Sequence, residues 1–342
     1  MKKFLIPAII VFAVLAIVFG SIFAVWYIDN RTSNFTKETV IYVRNSQDYD
    51  SVLKIICDSA GVVHQKSLKR AFKDKQVQEY IQAGRYVIKP GQSSVYVARM
   101  LNNCWQTPFG LVLSGTMRTK EAIGKKIGSQ MMISEDEITE ALNDVDFLKK
   151  YGFTPQNVFS LFIPDTYEVY WTAGVDELFD RMKQVYDAFW TEENVKKAGS
   201  AGLSKEEVSI LASIVTGETN YEPEMPAVAG VYLNRLKIGM RLQADPTVAF
   251  CYDYQLSRIL NKHLEVDSPY NTYKYAGLPP GPICVPSKSA LIAVLNPERH
   301  DYMYFCANSD FSGTHKFAAS FSEHMKNARD FQNALNKRQA SR

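Results

Sequence analysis

The sequence predicts an α+β protein carried on a single N-terminal transmembrane helix, and three observations predict it. From Phe4 to Ile28 the chain runs 25 residues without a charge, enough at about 1.5 Å per residue to cross a hydrocarbon layer of about 30 Å as a helix. Beyond it, short alternating segments such as Thr39–Val43 are interspersed with longer stretches of helical spacing, the mixture expected of an α+β chain. Finally, 342 residues with 46% hydrophobic and 12% aromatic content supply ample material for packed cores outside the membrane.

The first element is the apolar run. Pro7 and Gly20 are tolerable in a membrane helix. The run is longer than the apolar region of a signal peptide, about 7 to 15 residues, and no small-x-small cleavage site follows it, so residues 1–30 read as an uncleaved anchor. Lys2 and Lys3 hold the N-terminus in the cytoplasm by the positive-inside rule, although Arg31 and Lys37 dilute the asymmetry. The expected location is therefore the inner (cytoplasmic) membrane, with the body periplasmic or extracytoplasmic.

A short polar linker, Asp29 to Lys37, leads to a strand at Thr39–Val43 and a helix at Tyr49–Ser59. Gly84 to Lys89 reads as a strand closing into the Pro90-Gly91 turn, followed by a helix over Ser94–Asn102. This pattern resembles the end of a LysM module, a small α/β unit whose family binds N-acetylglucosamine-containing glycans; a plain spacer is the competing reading. The expected division is thus anchor 1–30, LysM-like module 31–108 and catalytic part 109–342. Within the last, residues 109–203 link and 204–342 form the core.

In the linking region the pattern gives a strand at Leu111–Leu113 and helices around Thr119–Ile127, Glu135–Leu142 and Val175–Thr191. Between them Ser160 to Tyr167 has the Pro-Asp and aromatic content of an ordered turn. The core starts at Ser204, where Ser204-Lys205-Glu206-Glu207 is a capping box announcing a helix. At about 100° per residue, Val208, Leu211, Ile214 and Val215 fall on one side and Ser209, Ser213, Thr216 and Gly217 on the other. Pro226 opens a second helix with Val228, Val231, Tyr232 and Leu236 on its buried face. A strand at Tyr302–Ala307 and an amphipathic helix at Phe321–Lys337 complete the chain.

The net charge is +3, and Lys2 and Lys3 account for two of it, leaving 37 basic against 36 acidic residues. So balanced a body argues against nucleic acid as partner, because phosphate binding is driven by clustered Lys and Arg. Five scattered cysteines with no Cys-x-x-Cys pair make neither a disulfide framework nor a zinc site. His64, His263, His300 and His324 show no ligand spacing, and no P-loop, His-Glu-x-x-His, Gly-x-Ser-x-Gly or dinucleotide fingerprint is present.

The chemistry converges on Glu218. By helical phase it lands between Leu211 and Ile214, where loss of hydration disfavours the charged form and raises the pKa. Such a glutamate serves as a general acid near neutral pH; the alternative is that it caps its helix or pairs with Arg235 or Arg241. From Ser209 to Phe317, and more weakly along the whole chain, the sequence resembles the endolytic murein transglycosylase (MltG, YceG-like) family. The resemblance rests on Leu211-Ala212-Ser213-Ile214-Val215 leading into Glu218-Thr219, Asn234-Arg235-Leu236, and Gly239 to Gln243. Asp245-Pro246-Thr247, Tyr270-Asn271-Thr272-Tyr273, Gly277 to Pro282, Tyr304-Phe305 and His315-Lys316-Phe317 complete it. Family members commonly carry an acid two positions before the glutamate, where this chain has Thr216.

What the resemblance implies is cleavage of the β-1,4 bond between N-acetylmuramic acid and N-acetylglucosamine within a glycan strand, without water. Glu218 is then the catalytic acid, and no metal or cofactor is required. Gln243, Asn271 and Thr272 are expected to hydrogen-bond the sugars, with Thr247 beside them and Tyr273, Tyr304 and Phe317 packing on rings or shaping the cleft. Asp245 either stabilises positive charge at C1 or caps a helix from Pro246, and His315 either contacts substrate or is structural. The expected partners are peptidoglycan strands and, from the family, peptidoglycan synthases. Two rivals stand beside this reading: a hydrolase using Glu218 and Asp245, and a non-catalytic glycan-binding scaffold.

Overall fold

A computed structural model describes residues 2–340, and they divide into two units: residues up to Gly110 with Glu168–Ala173, and Leu111–Tyr167 with Gly174 onward. Met1, where the expected anchor segment begins, and Ser341 and Arg342, where the expected catalytic segment ends, lie outside the described residues. The side chains of residues 2–8, Lys2 and Lys3 among them, are likewise outside the description.

In the first unit, helix α1 (Lys2–Arg31) is long and apolar enough from Ile9 onward to cross a membrane, and its large apolar side chains are exposed. That combination fits a single-pass anchor. The helix continues past the expected boundary because Asp29, in its last turn, is buried and held by Arg70 through two hydrogen bonds, Nε to Oδ2 at 3.0 Å and Nη2 to Oδ1 at 2.8 Å. Nor does the chain beyond it behave as a loose linker. The Asn34 amide donates to the His64 carbonyl at 3.1 Å and to Ser94 Oγ at 2.8 Å, and Phe35 is buried in the core.

Strands β1 (Thr39–Val43) and β2 (Gly84–Ile88) pair antiparallel, Thr39 opposite Ile88 and Val43 opposite Gly84. Period-two alternation sends Ile41 and Val43 inward and Val40 and Tyr42 outward. Between the strands lie α2 (Tyr49–Ser59), α3 (Gln65–Asp74) and α4 (Val77–Tyr80), and α5 (Ser94–Asn102) follows, capped by Ser93. Helix α3 escapes the sequence reading because Leu68, Ala71 and Phe72 are its only apolar residues; they suffice once the sheet and α5 supply a surface to bury them.

Strands β3 (Phe109–Leu113) and β4 (Asp165–Val169) form a two-stranded sheet. The expected turn at Ser160–Tyr167 is instead a 3₁₀ turn, Val158–Leu161, running into β4. Tyr167 is buried, its hydroxyl donating to the Ile163 carbonyl. Helices α6 (Lys120–Gly128), α7 (Glu135–Ala141), α8 (Val145–Lys149), α9 (Val175–Phe189) and α10 (Glu192–Ser200) precede the central group. That group is α11 (Lys205–Glu218), α12 (Met225–Lys237), α13 (Asp245–Cys251) and α14 (Lys288–Leu295), packed around one apolar core. A hairpin of β5 (Tyr304–Ala307) and β6 (His315–Ala318), with Phe305 opposite Phe317, is covered by α15 (Phe321–Ala340). The five cysteines are all unpaired.

Candidate active site

Helix α11 carries Glu218 on its last turn, and its position is set from both ends. At the start, Ser204 Oγ accepts the Glu207 N–H and the Glu207 carboxylate accepts the Ser204 N–H, at 3.2 and 2.8 Å. Every residue from Val208 to Val215 is buried, including the serines that the helical phase placed on a polar side. Ser213 Oγ donates to the Ile210 carbonyl and accepts the Ile283 N–H at 3.0 Å, fixing the chain that follows the Gly277–Pro282 segment. Thr216 accepts the N–H of Ser287, the residue capping α14, at 2.9 Å. Thr216 thus joins two helices here.

At Gly217 helix α11 comes close against α13. A Cβ at that position would lie 2.6 Å from Pro246 Cβ, inside any tolerable contact. The missing side chain lets Glu218 and Asp245 share one cleft. Gly217→Ala is expected to force the helices apart, destabilising by about 1–3 kcal/mol and lowering activity more than an alanine elsewhere on α11; a thermal melt with a cleavage assay checks it.

The cleft has a volume of about 420 Å³. Glu218, Tyr232 and Arg235 line it together with Gln243, Asp245 and Tyr273 and with residues of β5, β6 and α15. The buried Tyr232 hydroxyl donates to Glu218 Oε1 at 2.5 Å. Burial of the Glu218 carboxyl raises its pKa, the Tyr232 bond opposes the rise, the Asp245 charge adds to it and Arg235 counters; the result is a carboxyl pushed up to about 7. Tyr232 itself is pushed far above its usual range by burial and by Glu218, so it stays a phenol and a donor.

Arg235 is 7% exposed, and its guanidinium is committed to backbone: Nε donates to the Met303 carbonyl at 2.7 Å and Nη1 to that of Leu242. It lies over the Tyr304 ring, 5.4 Å from the centroid. Arg241 donates to the Tyr273 carbonyl at 3.2 Å. The hydrogen-bond partner of Glu218 is therefore Tyr232, and neither arginine is paired with it.

The other expected site residues separate into two groups. Gln243, Asp245, Tyr273, Tyr304 and His315 line the cleft with Glu218. Asp245 is the first residue of α13, with Ala244 at the cap position, so it does not cap; its Oδ1 accepts the Tyr273 hydroxyl at 2.6 Å. His315 Nδ1 lies 3.0 Å from Glu224 Oε2. Thr247, Asn271 and Thr272 are buried and bonded inward. Thr247 and Thr272 hydroxyls lie 2.9 Å apart, Thr272 Oγ1 accepts the Ala244 N–H, and Asn271 Nδ2 donates to the carbonyls of Leu264 and Val266. They build the turn that carries Gln243, whose φ of +50° is left-handed. Phe317 stacks on Tyr302 and packs against the core.

Sequence reasoning passed over Tyr232, Arg235 and His324 as members of the site. Tyr232 and Arg235 stand at i and i+3 on one buried helix face, and an arginine on a face otherwise apolar is the signal that was available. His324, stacked on Tyr304 at 5.3 Å, had none.

A match to the YceG-like family covers residues 41–330. The endolytic murein transglycosylase of Bacillus subtilis (strain 168) is 28% identical over 310 residues, covering 85% of this chain and 84% of that protein. That of Streptococcus pneumoniae serotype 2 (strain D39) is 28% identical over 176 residues, covering 50% of this chain and 32% of that one. The crystal structure of a yceG-like protein from Listeria monocytogenes is similar with a TM-score of 0.55 at 26% identity, over 84% of this chain and 98% of that one. Since the match runs from β1 to within α15 and contains every residue that lines the cleft, this protein belongs to the YceG-like family.

Proposed function

We propose that this protein is a membrane-anchored endolytic lytic transglycosylase of peptidoglycan, with Glu218 as its catalytic acid. The observation that carries the reading is a carboxyl pushed up to about 7 by burial, hydrogen-bonded to Tyr232 and lining an open, polar-walled cleft. The names of the relatives agree with it.

Near neutral pH Glu218 holds a proton and delivers it to the bridging oxygen as the bond from that oxygen to the muramyl C1 breaks. The muramyl C6 oxygen attacks C1 and closes a 1,6-anhydro ring, and its proton returns to the Glu218 carboxylate, so no water is consumed. A glycosidase that uses water ordinarily needs a second carboxylate; here the nucleophile is tethered to the same sugar, and proximity replaces activation. Asp245, oriented by Tyr273, faces the positive charge developing at C1, while Gln243, Tyr304 and His315 offer polar and ring contacts to the sugars.

In the same reading α1 keeps the N-terminus cytoplasmic and the enzyme at the inner membrane, close to nascent strands and their synthases, and cleavage there limits strand length. The unit holding β1, β2 and α2 to α5 serves as a LysM-like glycan-binding module, supported by its antiparallel strand pair with helices between.

Mass spectrometry of peptidoglycan digested by the full chain in detergent tests the proposal, with Glu218→Gln alongside. Anhydromuramyl ends from the wild type alone are expected. Reducing muramyl ends would assign hydrolysis with Asp245 as the second carboxylate, and equal products from both proteins would remove Glu218 from the chemistry.

Tyr232→Phe provides a finer check. Losing the donor leaves the Glu218 carboxylate less stabilised, so its pKa rises and the descending alkaline limb of the pH–rate profile moves up by about one pH unit. A limb that stays in place or moves down contradicts the assignment.

A further inference from the structure

A second cavity of about 250 Å³ shares Glu218 and Asp245 with the main cleft and extends past Gly217 and Pro246 to Arg118 and Tyr254. Arg118 and Tyr254 in turn line a third cavity of about 540 Å³, reaching Gln156, Phe159 and Tyr270. The acid therefore stands between two open spaces, and an enzyme that cuts within a strand must seat sugars on both sides of the bond it breaks.

The far side is built with care. Asp253 and Tyr254 are consecutive non-glycine residues with φ of +50° and +57°, a strained conformation that collects at functional positions. The strain fixes the Tyr254 ring, whose hydroxyl donates to the Ile283 carbonyl at 2.5 Å. Over that ring lies the Arg118 guanidinium, 4.9 Å from its centroid. Arg118 is exposed and makes no ion pair with any carboxylate among the described residues. Among the described residues it is the one cationic residue lining the second cavity. In the third, Lys120 donates to Asn143 Oδ1 at 2.7 Å, and Glu121 and Asp253 add negative charge.

We propose that these two cavities seat a muramyl unit with its stem peptide and that Arg118 grips a carboxylate of that peptide. The inference rests on the functional reading above. In a peptide-bearing strand the lactyl carboxyl of each muramyl unit is tied up as an amide, so the glycan itself gives a stacked, unpaired guanidinium nothing to pair with, whereas the stem peptide offers acidic residues, and its diamino acid offers an amine suited to Glu121 and Asp253. Arg118 is thus a specificity residue, remote from proton transfer.

The test compares three strand preparations: peptide-bearing with free carboxylates, peptide-bearing with amidated side carboxylates, and stripped of peptide with the exposed lactyl carboxylates amidated. Cleavage is read with wild type and Arg118→Ala, and binding with Glu218→Gln and the Glu218→Gln/Arg118→Ala double variant. Arg118→Ala is expected to lower the ratio of peptide-bearing to stripped strands, in cleavage and in binding, about tenfold, and to erase the preference for free over amidated carboxylates. An unchanged ratio, or equal losses on all three preparations, overturns the proposal. Arg118-dependent binding without cleavage by the wild type would instead sink the enzymatic reading alone.

Discussion

Glu218→Gln is expected to lower turnover by about 10²–10⁴-fold and, in the same protein, to raise stability at alkaline pH. The sign follows from the direction of the pKa shift. The folded-state pKa of about 7 lies above the ordinary value of 4.5, so between those values the native state binds more protons than the unfolded one and stability falls as pH rises. Stability from this group is fully present below 4.5 and lost above about 7, a change of about 3 kcal/mol. Glutamine keeps an acceptor for Tyr232 and has no charge to desolvate. Melting curves of both proteins at pH 5 and pH 8 check this: the variant's advantage should widen toward pH 8, and an advantage independent of pH would mean that the carboxyl is not held protonated by its surroundings.

Arg235→Ala carries the largest structural penalty. It removes the donors to the carbonyls of Leu242 and Met303 and the cation over Tyr304. Losses of this kind amount to about 3–5 kcal/mol, which lowers the melting temperature by roughly 10 °C in a unit of this size. Arg235→Lys should rescue little, because an ammonium lacks the planar fork that reaches both carbonyls. A lysine variant melting with the wild type would show that charge alone matters. Since these carbonyls flank the turn before Gln243 and the strand carrying Tyr304, turnover is expected to fall even at temperatures where the variants remain folded.

Much of this was legible in the sequence where local signals are strong. The capping box at Ser204, the helical spacing of Ser94–Asn102 and Thr119–Ile127, and the alternation of Thr39–Val43 act within a few residues, and the structure places those elements within a residue or two of expectation. Legibility fails where long-range partners decide. Ser209 and Ser213 look like a solvent face because a serine can face water; they are buried because their hydroxyls bond backbone within α11 and, through Ser213, at Ile283. Ser160–Tyr167 looks like a turn because it holds Pro164-Asp165, yet its last residues open a strand that pairs with β3. Within the cleft, Glu218 and Asp245 are 27 positions apart in sequence and meet because Gly217 has no side chain. Nothing local announces that Tyr232 reaches the carboxyl, or that Asn271 and Thr272 turn inward.

The clasp between Arg70 and Asp29, with Asn34 and Phe35 buried just beyond it, leaves no slack where the apolar helix enters the first unit. A body on a flexible string explores a volume that grows with the string. A body fused to a stiff rod inherits the rod's tilt and moves only as the rod moves, so diffusion becomes a two-dimensional sweep at a fixed standoff. In the membrane-anchored reading proposed above, bilayers of different thickness would tilt a helix of this length differently, and this joint would carry the tilt into the first unit, making lipid composition a setting for the angle at which that unit meets its surroundings.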